Sequence, residues 1–439
     1  ILVWLASVCL GYTSIILTKE DKISTLPSSE ESIIAVVDKE VQPGRPGELR
    51  ISLRLLGKAS EQIGHRALCT AIAVPWKNAM QVNYGNYVII KANFRNLDQG
   101  NIFSYSSWLK RRGYLSLCKI KYLALLNPNK TSLFSNWRRK LSSYISSSIS
   151  SSESAAVLKA VLLGERGYLS RQLEEAFRKL GLSHILVVSG FHITFLYFSI
   201  FWILRQIIRL RPSLFLHSKG GAVLHLASLV LVFVYTAFVG FSTSVVRALA
   251  GLSFFLLGKI LGRGGNMLHA TSAACLLLLF IWPGCCFEAG VQLTIAALVG
   301  IACGSSISID SKKLKGLLAM LMASFFTSLV SIFWFGSMSL IGFIANPLFV
   351  TPLLFLYCLG GSLALGITAI GIDQNGIFLS LVGKAVSYTI FVIQNTASWK
   401  YSGLKVETPY RWFYLTVLAL VILKVLRQYC LKLFRDYNI

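Results

Sequence analysis

Apolar runs of about 20 residues with almost no charge leave a chain few choices, because in lipid the backbone must satisfy its own hydrogen bonds. This sequence holds many such runs, among them 226-LASLVLVFVYTAFVG-240, 316-GLLAMLMASFFTSLVSIFWFG-336 and 413-FYLTVLALVILKVL-426. Only 14% of the 439 residues are charged, against 54% hydrophobic, which excludes an ordinary soluble protein. The chain reads as an α-helical polytopic membrane protein with about nine or ten transmembrane helices. Spans are expected near 184–204, 222–240, 242–260, 267–283, 288–306, 315–335, 338–370, 376–398 and 410–428. The block 338–370 is too long for one straight span and carries Pro347 and Pro352, so a broken or re-entrant helix is expected there. Residues 1–17 read as an N-terminal anchor helix rather than a cleaved signal peptide, since no basic region or small-residue cleavage site accompanies them.

Residues 18–125 have a different texture. In 49-LRISLRLLG-57, 67-ALCTAIAVP-75 and 86-NYVIIKANF-94 apolar and polar residues alternate, the pattern of half-buried strands, and Gly, Pro and Asn bound them. Several short strands in one small region suggest an all-β barrel or sandwich, with an oligonucleotide-binding (OB)-like barrel as one candidate. The aromatic and basic segment 102-IFSYSSWLKRRGYLSLCKI-120 suits a membrane surface or a phosphate backbone. Cys69 and Cys118 form a disulfide if this domain faces an oxidising compartment, and are buried free thiols otherwise. Residues 126–182 follow as amphipathic or interfacial helices: a serine-rich stretch over 131–164, then a short helix over 168–181.

A net charge of +25 attracts anionic lipid or nucleic acid. The basic clusters Arg205/Arg209/Arg211, Lys259/Arg263, Lys312/Lys313/Lys315 and Arg427/Lys432/Arg435 fall at alternate ends of the spans. One topology satisfies all four: basic ends in the cytoplasm, strand-rich domain outside, and 431–439 a cytoplasmic tail.

Ionisable and polar groups inside a span are functional candidates. His184 and His192 lie in 181-GLSHILVVSGFHITFLY-197. In an unbroken helix eight residues place them about 12 Å and roughly 80° apart, so they do not share a metal. Ser189 stands three residues before His192, within hydrogen-bonding reach. That pair suggests a membrane-embedded Ser/His hydrolase with Glu288 as its acid. It suits helix–helix contact equally, with Gly190 permitting close approach. Arg247, oriented by Thr243 and Ser244, either snorkels outward, meets passing phosphates in a pore, or pairs with Glu288. Gln292 needs a buried partner or water, and Asn346-Pro347 is expected to break its helix. Broken helices and positive charge alone also permit a lipid or anion transporter.

Taken in order, the segments 160-AVLLGERGYLS-170, 182-LSHILVVSGFHITFLY-197, 235-YTAFVGFSTSVVRALAG-251, 272-SAACLLLLFIWPG-284, 289-AGVQLTIAAL-298 and 343-FIANPLFVTPLLF-355 resemble the competence domain of the ComEC family. The resemblance is carried most specifically by His184, Ser189, Gly190 and His192, then by Arg247-Ala248 and by Gly290, Gln292 and Leu293. Val291 departs from the family's aromatic and Thr294 from its more usual serine. More weakly, 96-NLDQGNIFSYSSWLKRRGY-114 resembles the family's extracytoplasmic OB-like domain. The resemblance implies a competence channel domain over 183–430 that passes single-stranded DNA across the bacterial inner (plasma) membrane in natural transformation. The implied site residues are His184, Ser189, Gly190, His192, Arg247, Gly290, Gln292, Asn346 and Pro347, acting as channel or gate. Implied partners, besides membrane lipids, are a membrane-tethered DNA receptor, a cytoplasmic DNA-translocating ATPase, a separate nuclease and a second copy of the chain. No cofactor or metal is expected. Many members end in a metallo-β-lactamase-like nuclease domain, whose His/Asp ligand pattern this sequence lacks, its last histidine being His269. There is also no G-x-x-x-x-G-K-[ST] loop for ATP, so a non-enzymatic channel is expected, powered by another protein or the proton gradient.

Overall fold

Alternation of burial with a period of two runs through the strands near the N-terminus. In β1 (Ser32–Val37) the residues Ile33, Ala35 and Val37 point inward and their neighbours outward. β2 (Gln42–Pro43) is a two-residue ribbon, followed by β3 (Glu48–Gly57), β4 (Arg66–Ile72), β5 (Tyr87–Asn96) and β6 (Tyr114–Leu125). The computed structural model describes residues 32–38, 42–43, 48–57, 66–72, 82, 86–97, 105–126, 133–209, 220–262, 267–281, 285, 287–307, 310–369, 372–373, 375–399 and 402–406. Two compact units divide the chain, Ile1–Ser170 with Gly371–Gly383, and Arg171–Ile370 with Lys384–Ile439.

In the first unit β1 pairs antiparallel with both β3 and β5, β3 with β4, and β5 with β6, while β4 and β6 run parallel. The circuit β1-β3-β4-β6-β5 therefore closes on itself as a five-stranded, OB-like barrel, with β2 appended to β3. Closure hides the strand edges, and register shifts at Ile34/Ala35, Arg66/Ala67 and Lys91/Ala92 let strands bend around it. The interior is narrow, and small residues (Ala35, Ala67, Ala71, Ala92) fill it beside Ile51, Leu53 and Ile90. Helix α1 (Tyr105–Arg111) links β5 to β6 and buries Leu109 with Leu97 and Tyr114. The aromatic-basic segment is thus part helix and part strand, with Tyr105 and Lys110 left exposed.

Cys69 and Cys118 are register partners across the parallel β4–β6 pair and are bonded as a disulfide, Cα–Cα 4.4 Å. It closes a loop of 49 residues, for which chain entropy alone gives about 4 kcal/mol of stabilisation. Replacing both cysteines with serine is expected to make the barrel markedly more sensitive to limited proteolysis in the intact protein. Unchanged protection would contradict this.

Helix α2 (Leu133–Ser148) keeps Phe134 and Trp137 exposed. The serine-rich stretch then breaks at Ser151, whose side chain accepts from the Ser154 N–H and caps α3 (Ser152–Leu163). Here the structure departs from the amphipathic reading: every residue of α3 from Ser154 to Leu163 is buried. A helix apolar all round belongs in an interior. Its lone cation, Lys159, donates to Ser146 Oγ and lies 4.2 Å above the Tyr168 ring, with Glu165 in electrostatic reach. Burial holds the Lys159 ammonium below the ordinary lysine range, and the Glu165 charge partly offsets this. Lys159→Met removes that desolvation and fits the same apolar path, so thermal stability is expected to stay or rise. A large fall in melting temperature would show that the Ser146–Lys159–Tyr168 contacts outweigh it.

The second unit is helical. It opens with α4 (Arg171–Lys179), followed by α5 (Gly190–Arg209), α6 (Gly220–Val239), α7 (Thr243–Ile260), α8 (Met267–Ile281), α9 (Ala289–Ser305) and α10 (Lys312–Phe335). Next come a strand β7 (Ser337–Ser339), α11 (Gly342–Leu354), a π-helical turn (Phe355–Gly360) and α12 (Gly361–Ala369). Helix α13 (Ile377–Ala397) passes from the first unit into the second, and β8 (Gly403–Lys405) pairs with β7. Among the described residues six helical stretches are long and apolar enough to cross a membrane: Gly190–Arg209, Gly221–Val239, Thr243–Ile260, Lys312–Phe335, Gly342–Thr368 and Ile377–Ala397. Met267–Ile281 and Ala289–Ser305 are shorter apolar helices, and the expected spans at 1–17 and 410–428 lie outside the described residues.

Hydroxyls inside these helices mostly bond the carbonyl four residues back, as Ser228, Thr236, Ser253, Thr271 and Thr294 do, so they need nothing else from their surroundings. Helices α9 and α10 approach backbone to backbone. A Cβ on Gly300 would sit 2.5 Å from Ala323 Cα, and one on Gly304 2.5 Å from Ala319 Cα. This is a small-xxx-small contact of backbone on backbone. Asn346-Pro347 does not break its helix: α11 runs through both prolines, and the irregularity falls at the π turn after Pro352. The ring at each proline removes one backbone donor, and the π-helical turn begins three residues after Pro352.

Candidate functional site

The quoted histidine segment becomes helical only at Gly190, six residues later than its hydropathy suggests. Residues 184–189 are as apolar as a helix but form turns. The unbroken-helix spacing therefore does not apply, and His184 and His192 come within electrostatic reach of each other. His184 Nδ1 lies 3.2 Å from the Gly181 carbonyl oxygen. The Ser189 backbone N–H donates to His192 Nδ1 at 3.2 Å, which makes that nitrogen an acceptor. The Ser189 hydroxyl, 2.8 Å away, donates to the same nitrogen. The proton of His192 is then on Nε2, which is buried without a hydrogen-bond partner among the described residues; the Ile185 carbonyl lies beside it outside hydrogen-bond geometry. The pair expected from the sequence is present, but among the described residues no carboxylate orients the far side of the imidazole, as a Ser-His triad requires.

Three stretches distant in sequence meet here. A Cβ on Gly190 would lie 3.4 Å from Ala248 Cβ, so the start of α5 rests on α7. Ser244 donates to the Val188 carbonyl at 3.0 Å, tying the same two starts together, rather than orienting Arg247. Arg247 does not snorkel. It turns onto the first turn of α9, where a Cβ on Gly290 would meet its Nη2 at 3.1 Å. Arg247 is only 8% exposed and Glu288 6%. Arg247 Nε and Nη1 have no hydrogen-bond partner among the described residues, and no ion pair joins Arg247 to Glu288 there, although the carboxylate is in electrostatic reach.

These starts lie at one end of the bundle. Short links make α5 and α6, α6 and α7, and so on through α10 antiparallel, so α5, α7 and α9 all begin on the same side. The basic residues at the ends of α5 and α7 and the start of α10 gather on the opposite side. Helix N-termini carry partial positive charge and unpaired N–H groups. The start of α9 lies against the buried arginine that α7 carries.

Gln292 is satisfied differently: Trp334 Nε1 donates to its Oε1 at 2.8 Å, fixing α9 to α10. Nothing in the sequence pairs those residues. Asn346 and Pro347 are not brought into the group by the described contacts, and Asn346 Nδ2 faces Ser324 Oγ on α10 at 3.4 Å, with its Oδ1 unpartnered and buried. The π turn reaches α5 through Phe355, whose ring meets Phe195 edge-on at 4.7 Å. A further polar pair missed from the sequence is Tyr197 with His225, hydrogen-bonded across α5 and α6 and flanked by Phe201. Its signal was a lone histidine inside an apolar run. Among the described residues no cluster of His, Cys, Asp or Glu has the makings of a metal site.

An OB-like barrel and a helical membrane bundle with motif residues packed around its helix starts define a class of multi-pass inner-membrane protein. A family model described as Competence protein matches residues 161–429, more than half of the chain, and the chain belongs to that family. It is similar to ComE operon protein 3 of Bacillus subtilis (strain 168), at 26% identity over 247 residues, or 56% of this chain. The match covers 30% of that relative, so the chain spans only part of its length. No solved structure matches the chain.

Proposed function

We propose that this protein acts in DNA uptake for competence, as the membrane conduit through which one DNA strand passes. The observation that carries this reading is the family match over 161–429, whose motif residues pack against one another across α5, α7 and α9. A strand crossing lipid needs fixed positive charge and polar walls. The N-termini of α5, α7 and α9 with Arg247 are suited to supply both. With the basic ends in the cytoplasm, that group faces the outside, where a strand enters.

The barrel suits delivery. Arg50, Thr70, Lys119 and Asn93 stand in one row across β3, β4, β6 and β5, and beside them Lys91 pairs with the exposed Tyr122. Basic and aromatic side chains on adjoining strands are what a single strand's phosphates and bases contact. The proposed partners are single-stranded DNA, membrane lipids, a membrane-tethered DNA receptor, a cytoplasmic DNA-translocating ATPase, a separate nuclease and a second copy of the chain. A hydrolase built on Ser189 and His192, or a lipid or anion carrier, is what the test separates from this reading. Cells lacking the gene are expected to bind labelled double-stranded DNA at the surface yet to hold none in a nuclease-protected pool. A protected pool equal to that of wild-type cells would overturn the proposal.

A further inference from the structure

The exposed side of α13 is not one that suits lipid. Its buried side is ordinary: Val386, Ile390, Ile393 and Ala397 point inward, and Thr389 Oγ1 lies 2.7 Å from the Tyr357 hydroxyl of the π turn. The exposed side runs Lys384, Tyr388, Phe391 and Asn395 at helical spacing, with Tyr388 69% exposed. Helix α6 gives the contrast, since its exposed side is Val223, Leu226, Val230 and Phe233, hydrocarbon throughout. Lys384 is the eighth of the 21 residues of α13, about 10 Å along the helix from its start. Its ammonium must either reach back past the exposed Leu381 and Phe378 or meet an anion at that depth. The chain brings no such anion. Between His184 and Val406 its acidic residues are Glu288, Asp310 and Asp373, which stand ahead of α9, α10 and α13 and not within them. The Asp373 carboxylate already accepts from the Ile377 and Phe378 N–H groups. A second copy laid on this side would carry the same residues, and the run 413-FYLTVLALVILKVL-426 has no acidic residue either. A lipid phosphate stays at the boundary, outside the hydrocarbon that α13 is long enough to cross.

We propose that this side of α13 is a wall of the conduit, on which Lys384 meets the phosphodiesters of the transported strand while the rings of Tyr388 and Phe391 stack against its bases. This rests on the proposed conduit and names a further set of residues for it. The order along the helix suits a single strand. Tyr388 follows Lys384 by one turn, about 6 Å, and Phe391 lies about 4.5 Å beyond. A strand offers charge along its backbone and flat faces along its bases, so a cation and two rings in line engage both. Stacking does not depend on sequence, because every base has a π-face, and a conduit must pass any sequence. An ammonium is a hydrated point charge without the bidentate grip of a guanidinium. It attracts a phosphate and lets it go, and conduction needs binding weak enough to leave.

The test uses intact cells, the whole chain and a labelled duplex, and scores protein accumulation beside the nuclease-protected pool. Lys384→Met is expected to accumulate at the wild-type level, since methionine suits lipid as well as lysine does, while the pool falls about tenfold, the scale of a lost charge-assisted contact. Lys384→Arg should keep most of the uptake, and Tyr388→Ala should lower it about fivefold, the scale of one lost stacking contact. In a second arm p-benzoylphenylalanine replaces Tyr388, and cells are irradiated during uptake. A crosslink from position 388 to the labelled strand is the expected result. Lys384→Met with a wild-type pool would overturn the wall, because the lysine would then merely reach the boundary. Uptake that proceeds while position 388 crosslinks to a second copy or to lipid, and never to DNA, would overturn it too. If Lys384→Met does not accumulate, the crosslink alone decides in the same two ways. Wild-type cells that fill no protected pool would sink the conduit reading itself, a failure distinct from either of these.

Discussion

Gly300→Leu is expected to remove the folded protein from the membrane. The reason is geometric. Even a single Cβ at Gly300 would stand 2.5 Å from Ala323 Cα, 2.6 Å from its N and 2.6 Å from the Met322 carbonyl oxygen. Those are backbone atoms of α10, so no rotamer change relieves the contact; the two helices must separate. Overpacking a core by a few methylenes ordinarily costs about 1–3 kcal/mol, and a leucine that splits a backbone contact exceeds that range. Separation would also draw Gln292 away from Trp334. Gly304→Leu should behave alike, since its Cβ would meet Ala319 Cα at 2.5 Å. On the same helix pair Gly316 has open space around it, so Gly316→Ala is the control expected to accumulate normally. Immunoblots of membrane fractions and size-exclusion profiles in detergent read the outcome. Normal accumulation of Gly300→Leu would mean that α9 and α10 are not packed as described.

Gly290→Val is expected to do the opposite, lowering DNA uptake while sparing the fold. Here the nearest atom to a new Cβ is Arg247 Nη2 at 3.1 Å, followed by Nη1 at 3.6 Å. That is the far end of a flexible side chain, which can yield where backbone cannot. An alanine forces a shift of a few tenths of an ångström; the branches of valine drive the guanidinium off α9 altogether. The protein should accumulate at the wild-type level while DNA in the protected pool falls by about tenfold or more, the scale of a lost charge-assisted contact. Gly290→Ala should fall between valine and wild type. Uptake by Gly290→Val equal to wild type would show that the contact between Arg247 and α9 has no part in transport.

The contrast between these glycines marks what the sequence discloses. Uncharged runs reveal that 316–336 and its companions enter a membrane, because lipid tolerates few alternatives. Alternation reveals β3, β4 and β5, because one face of each is buried. Neither pattern reveals the order in which strands meet. The parallel pairing of β4 with β6, which closes the barrel and opposes Cys69 to Cys118, joins residues far apart in the chain. The late start of α5 was hidden for a different reason: 184-HILVVS-189 is as apolar in turns as in a helix, and only the caps and contacts of Ser189 and His192 distinguish them. For α3, the serine-rich stretch over 131–164 suggested an amphipathic interfacial helix, whereas Ser151 caps a buried one at the Ser154 N–H. The motif residues themselves were legible as polar groups in apolar surroundings. Their meeting was not. Gly190 against Ala248, Ser244 on the Val188 carbonyl, and Arg247 on Gly290 are consequences of helix packing, and no spacing within one segment encodes them.

The most direct measurement asks where the DNA is while it crosses. A duplex carrying azidophenacyl groups on phosphorothioate linkages would be arrested during uptake into intact cells, irradiated, and its crosslinked peptides identified by mass spectrometry. Crosslinks within 188–193, 243–248 and 288–292, at the starts of α5, α7 and α9, are the expected result. Uptake that proceeds while crosslinks avoid all three segments would contradict the claim that these helix starts line the path of the strand.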